Sequence, residues 1–175
     1  IHGVVADFEQ RGRSADLFQY QATLVPRLWR LSLTHQSRVF QSMTVEDIVR
    51  KVLKESGFTS QDFRFSLESS YPEREYCAQY QETDLAFVSR LLEHEGIQFF
   101  FEQKEGREIA VFSDHGRENP DIAGPTSVPY KKPGMAPGEP ETVREFVYRE
   151  QVVTGKVKLK DYNYEKPSST LEAES

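Results

Sequence analysis

Few groups in this sequence stand at spacings that chemistry uses. His94-Glu95 opens like the HExxH helix of zinc proteases, but the fifth position is Gln98, and Gly96 would end the helix in between. Without a second histidine on the same helical face the chelate is incomplete, so no zinc site is expected there. Glu93 and Glu95 flank His94 with negative charge, an arrangement that a solvated helix end also explains. Ser113, Asp114 and His115 are the residue types of a nucleophilic triad, yet they are consecutive, and no GxSxG turn presents the serine. Triad groups must converge in space around a nucleophile, so Asp114 and His115 are expected to close a hairpin and cap a turn. Glycosidase chemistry needs two carboxylates at a set separation; the 28 acidic residues offer many pairs whose distances spacing does not give. Lys156, Lys158 and Lys160 line one strand face, which in an acidic chain reads as a charged edge resisting aggregation rather than a phosphate site. Cys77 reads as a small buried hydrophobe, with only Arg74 nearby in sequence to lower its pKa. No catalytic, cofactor-binding or metal-binding residue is therefore expected.

The elements that would position such groups are clearer. Tyr76–Phe101 holds a short alternating strand, a capped helix and an apolar strand, and the rest of the chain is organised around it. Tyr76, Ala78 and Tyr80 share one face of the first strand, with Cys77, Gln79 and Gln81 opposite. Thr83 is a candidate N-cap, and Glu82 and Asp84 place negative charge at the positive end of the helix dipole. Leu85, Val88, Leu91 and Leu92 form an apolar stripe widened by Phe87, and Gly96 suits a left-handed C-terminal cap. Ile97, Phe99 and Phe101 then share a strand face, with Phe100 implying that the other face is partly covered.

Upstream, residues 1–34 read as strands. Val4, Ala6 and Phe8 alternate with other residues, and Arg11–Asp16 is a polar turn. Phe18, Tyr20, Ala22 and Leu24 alternate with polar residues as a half-buried strand. Pro26 marks a bend, after which Trp29, Leu31 and Leu33 suggest that the strand resumes. Residues 40–57 are read as a helix capped by Thr44, with Asp47 in a near capping box and Gly57 as its end. Its stripe is Val45, Ile48, Val49, Val52 and Leu53. Phe63, Phe65 and Leu67 form a strand, and Ser69–Glu75 is a loop. Ile109–Phe112 returns as the partner of the Phe99 strand across a charged turn at Gly106. Six of nine prolines (Pro120, Pro125, Pro129, Pro133, Pro137, Pro140) fall in the next stretch, which reads as a linker. Val143–Arg149 and Val157–Leu159 are later strands, and Pro167 begins a polar tail.

Composition narrows the class. A 175-residue chain that is 37% hydrophobic can bury a core, and its net charge of −6 argues against nucleic acid and anionic membrane as partners. It has no apolar run long enough to span a bilayer and no signal peptide, so neither a membrane span nor Sec export is indicated. One cysteine allows no internal disulfide and suits a reducing compartment. A start at Ile1 suggests a piece of a longer protein.

Several ordered blocks carry a family resemblance. QYQETDLAFVSRLLEHEGIQFFFE resembles the QYrEsDldFlsRLleeEGIyYfFe signature of the VgrG family of type VI secretion spike proteins, shared in looser form by the phage hub proteins known as late control protein D. YQATLVPRLWRLSL is similar to the family's yrltLvPrlwlLtl, and SRVFQSMTVEDIVRKVLKESG to its sRiFqnkTvpdIikevLkehG. YPEREYC and KVKLKDYNYEKPSSTLEA also resemble family segments, in the expected order.

The resemblance implies an α+β fold in which β-barrel segments of a phage-hub-like base domain carry an inserted α+β unit of two helices and a hairpin. The expected division is 1–43 as an incomplete barrel segment, 44–113 as the α+β unit, 114–142 as a proline- and glycine-rich linker, and 143–175 as a second incomplete barrel segment. It implies a structural role without enzymatic activity: a homotrimeric hub joining a hexameric tube protein to a needle, with effectors or adaptors as further partners. No nucleic acid and no stable membrane insertion would be involved, and no cofactor. Assembly would take place in the bacterial cytoplasm, followed by injection into a target cell. The alternatives from other classes are a cell-wall-degrading or toxin-fused enzyme and an effector-binding adaptor.

Overall fold

Two short helices with different ends organise the core. In α1 (Val45–Glu55) the Thr44 hydroxyl accepts the Asp47 amide at 3.1 Å and donates to the Asp47 carboxylate at 2.7 Å, closing the first turn reciprocally. Gly57, at φ +81°, takes the chain out of it in a left-handed conformation that a side chain would strain. In α2 (Asp84–Glu95) Thr83 accepts the Ala86 amide at 3.0 Å, and Gly96 (φ +71°) turns the chain so that the Ile97 amide reaches the Leu92 carbonyl at 2.8 Å. The stripe Val45, Ile48, Val49, Val52 and Leu53 faces inward, as do Phe87, Val88, Leu91 and Leu92. Burying each such side chain stabilises the fold by about 1.5–3 kcal/mol.

The computed structural model describes residues 1–14, 17–118, 127–130, 142–143 and 145–174. The chain divides into two compact units, Ile1–Pro120 and Asp121–Ser175. In the first, β1 (Val4–Ser14) and β2 (Leu17–Val25) form an antiparallel hairpin. A 3-10 helix (Arg27–Leu33) follows, then β3 (His35–Phe40), α1, β4 (Phe63–Ser66), β5 (Cys77–Thr83) and α2. β6 (Gln98–Lys104) and β7 (Arg107–Ser113) form a second hairpin that turns at Gly106. β3 pairs antiparallel with β5, and β4 adds to β7 in parallel to give the order β4-β7-β6. Aromatic stacking ties α2 to β3, where Phe40 lies 5.4 Å from Phe87, and β4 to β7, where Phe65 lies 4.7 Å from Phe112. In the second unit β8 (Lys158–Asp161) pairs antiparallel with β9 (Leu171–Glu174).

This is the expected α+β class, with corrections in detail. Residues 27–33 are not a resumed strand but a 3-10 helix. Pro26 presets φ at −58°, its carbonyl accepts the Trp29 amide at 2.9 Å, and the buried pair is Leu28 and Leu31, three residues apart. The helix read over 40–57 begins at Val45, and its expected first residue, Phe40, ends β3 (His35–Phe40) instead. β2 is not half-buried: Phe18, Tyr20, Ala22 and Leu24 are all exposed. Of the two faces read for the Tyr76–Gln81 segment, Tyr76 and Tyr80 lie on the outer one, and Cys77, as expected, and Gln79 are buried on the inner one. Residues 145–150 form no strand, and the tail after Pro167 supplies β9. Most of the expected linker 114–142 lies outside the described residues. Among the described residues the strands form four small sheets, none of them a closed barrel.

Candidate functional site

The groups that could have done chemistry are engaged elsewhere. Glu95 pairs with Arg74 at 2.5 Å, and the largely exposed His94 ring stands 3.3 Å from that guanidinium and 3.4 Å from the carboxylate. Among the described residues no three His, Cys, Asp or Glu side chains are grouped so as to hold a metal ion. The buried Ser113 hydroxyl donates to the His115 carbonyl at 2.8 Å, while the His115 ring lies 3.7 Å from Glu68. A serine bonded to the backbone of its neighbour has no base positioned to activate it. Asp114 accepts from the amides of Glu68 (2.9 Å) and Ser69 (2.8 Å) and from the Tyr71 hydroxyl (3.0 Å). Those amides hold its carboxyl far below the usual carboxylate range, with Tyr71 adding to them. It fastens the loop after β4 to the end of β7, the turn-capping role expected of it. Lys158 and Lys160 reach Glu172 at 3.3 and 3.2 Å, and Lys156 pairs with Glu174, so the lysine row is matched across the β8–β9 ladder. Cys77 is free and buried.

A polar knot does occupy the centre of the first unit. Asp84 opens α2 yet is only 2% exposed, and Gln79 beside it is equally buried. Arg38 of β3 donates to Asp84 at 2.5 Å and to the Gln79 side-chain oxygen at 2.8 Å, and its other arm pairs with Glu55 at the end of α1. The Gln79 amide donates to Asp84 at 2.8 Å and to the Glu82 carbonyl at 3.2 Å. The local backbone is irregular where these side chains meet. The β3–β5 register shifts between Gln36 and Arg38, and Gln81 adopts φ +49° with its amide held by the Ser37 hydroxyl at 3.1 Å. Every buried polar atom of Gln79 and Asp84 that demands a partner here finds one, so the knot acts as structure rather than as reactive chemistry. A cleft of about 470 Å³ opens beside it, lined by Arg30, Thr34, Gln36, Arg38, Glu55 and Asp84.

One surface available for interaction is the β1–β2 hairpin. Its register places Val5 beside Leu24 and Phe8 beside Ala22, and the Phe8 and Tyr20 rings stack at 5.6 Å. Phe8 is 64% and Tyr20 57% exposed. An apolar row of this kind on a small unit is the sort of surface that proteins use for association. The alternation that marks these residues was legible in the sequence; their exposure was not. The Arg38 knot was missed altogether, because nothing in spacing links residues that far apart, and Asp84 looked like an ordinary first-turn acid.

The profile of the family described as phage tail baseplate hub (GPD) matches residues 1–175. A type VI secretion system spike protein, VgrG1c of Pseudomonas aeruginosa, is 40% identical over 175 residues, covering 100% of this chain and 24% of that protein. The actin cross-linking toxin VgrG1 of Vibrio cholerae is 36% identical over 170 residues, 96% of this chain and 15% of the toxin. Among solved structures, the E. coli c3393 protein, described as a type VI secretion component similar to the T4 bacteriophage tail proteins gp27 and gp5, superposes with a TM-score of 0.64 at 41% identity, over 65% of this chain and 32% of that one. The chain thus spans about a quarter of the length of VgrG1c.

Proposed function

The chain belongs to the phage tail baseplate hub family, and from that premise we propose that it is the hub segment of a type VI secretion spike. In this reading its role is structural: it takes part in a homotrimeric hub seated on a hexameric tube, below a needle, and passes axial force between them during delivery of effectors. The observation that carries the reading is similarity to spike proteins along the whole of residues 1–175, at 40% identity to one of them. Two capped helices locked to a three-stranded sheet suit a part that must bear load without unfolding. The β1–β2 hairpin and the β8–β9 pair are read as barrel segments that other strands complete, with 44–113 as the α+β unit between them and 114–142 as its linker. The segment is shared by relatives named as spike proteins and by one named as an actin cross-linking toxin. Cross-linking is therefore not assigned to this segment, and no enzymatic activity is proposed for it. The spike would assemble in the cytoplasm and leave the cell with the tube. The test is deletion of residues 1–175 from the full-length protein in a secreting strain: release of tube protein into the medium should stop. Undiminished release would overturn the reading.

A further inference from the structure

Among the described residues the β1–β2 hairpin contributes none to the hydrophobic core, which begins at Leu28. What fastens it lies at its root, and the fastening is made by side chains. The amide group of Gln103, on β6, imitates a strand neighbour for His2: its oxygen accepts the His2 amide at 2.6 Å, and its nitrogen donates to the His2 carbonyl at 3.4 Å. On the returning strand, Glu108 of β7 accepts the Arg27 amide at 2.9 Å with one oxygen and the Gln103 side chain at 3.3 Å with the other. Arg27 then pairs with Asp62 at 2.5 Å, donates to the Gly57 carbonyl at 3.3 Å and lies over the Phe58 ring at 5.0 Å. The residues that flank the hairpin, His2 before β1 and Arg27 after β2, are thereby tied to Gln103 and Glu108, which face each other across the β6–β7 hairpin. The two strands also close tightly on each other here, since a Cβ on Gly3 would stand 2.5 Å from the Val25 carbonyl oxygen.

We infer that Gln103 and Glu108 form an orientation lock that holds the β1–β2 hairpin at a fixed attitude to the α+β unit. A hairpin joined to the α+β unit through Pro26 alone would swing about that connection. Ties on both flanks of the hairpin, at His2 and at Arg27, remove that rotation, because one bond leaves a pivot and two define a direction. The lock is a property of this chain and stands apart from the spike reading.

The test is a distance distribution between spin labels at Gln21→Cys and Glu93→Cys, both exposed, in a Cys77→Ala background. With Gln103 and Glu108 intact a single narrow distribution is expected. The double variant Q103A/E108A should at least double its width while circular dichroism and the Tm of the core stay close to the parent. Should the double variant fail to fold, Q103A alone, at an exposed position, should still broaden the distribution. E108Q keeps the accepting oxygen for the Arg27 amide and should stay narrow. A broad distribution in the parent, or an unchanged width in the alanine variants, would overturn the lock.

Discussion

Arg38 and Asp84, 46 residues apart in sequence, hold their charges 2.5 Å from one another beside the buried amide of Gln79. The pair joins β3 to the first residue of α2, and the second arm of Arg38 carries the tie on to the last residue of α1. The Asp84 side chain is 3% exposed and that of Arg38 21%, so the two ends of the pair are not equivalent. The carboxylate depends on the arginine, whereas the arginine retains an exit to solvent.

Arg38→Met should therefore be costly, because it leaves Asp84 buried without its cation. Breaking such a pair from one side costs about 3–5 kcal/mol, and the partial exposure of Arg38 places this case at the low end. That corresponds to a fall in Tm of roughly 10 °C. Glu55→Gln, at the exposed end, should change stability by less than about 1 kcal/mol. Thermal unfolding of both variants checks the asymmetry, and equal losses would show that the buried arm carries no special weight.

Leu91→Asp should unfold the first unit. Leu91 is 1% exposed in the middle of the α2 stripe. Truncation of such a leucine costs about 2–5 kcal/mol, and a buried unpaired carboxylate adds to that, against a typical domain stability of about 5–15 kcal/mol. A purified variant with an unchanged Tm would remove Leu91 from the core.

Acid should destabilise the fold from the carboxylate side. Hydrogen bonds from Arg90, Arg74 and Arg64 hold Glu82, Glu95 and Glu102 below their ordinary values. Burial pushes Asp62 up, but Thr59 and Arg27 together outweigh it, and Asp114 lies lower still through the Glu68 and Ser69 amides. All five are depressed in the folded chain, so the stability they confer is complete above the unfolded values of about 3.9–4.3 and is lost as pH falls towards the folded ones. Tm should be flat from pH 7 to pH 5 and drop steadily below pH 4. Stability that rises on acidification would contradict these assignments.

The helices were legible because their signals are local: threonine caps, a 3.6-residue stripe and a glycine at each exit all lie within one stretch of chain. The strands were less so. His35–Phe40 carries no apolar alternation strong enough to announce β3, and its place is decided by pairing with Cys77–Thr83. Trp29, Leu31 and Leu33 alternate like a strand, but Leu28 and Leu31 also stand at the period of a 3-10 turn, and burial selected the second pattern. The alternation of Tyr76–Gln81 does not say which face is inner; Gln79 lies inside, bonded to Asp84, and Tyr76 and Tyr80 face outward. The ties at Gln103 and Arg38 join residues far apart in the chain, and only the folded geometry reveals them.

The central claim is that this chain is a hub segment of a trimeric secretion spike, and electron cryomicroscopy of the full-length protein bound to its tube tests it most directly. The account predicts three copies of the β4-β7-β6 sheet and its two helices arranged around the axis at the end of the tube, with the remainder of each chain extending away from it. Density for this fold at the far tip, or a single copy displaced from the axis, would contradict it.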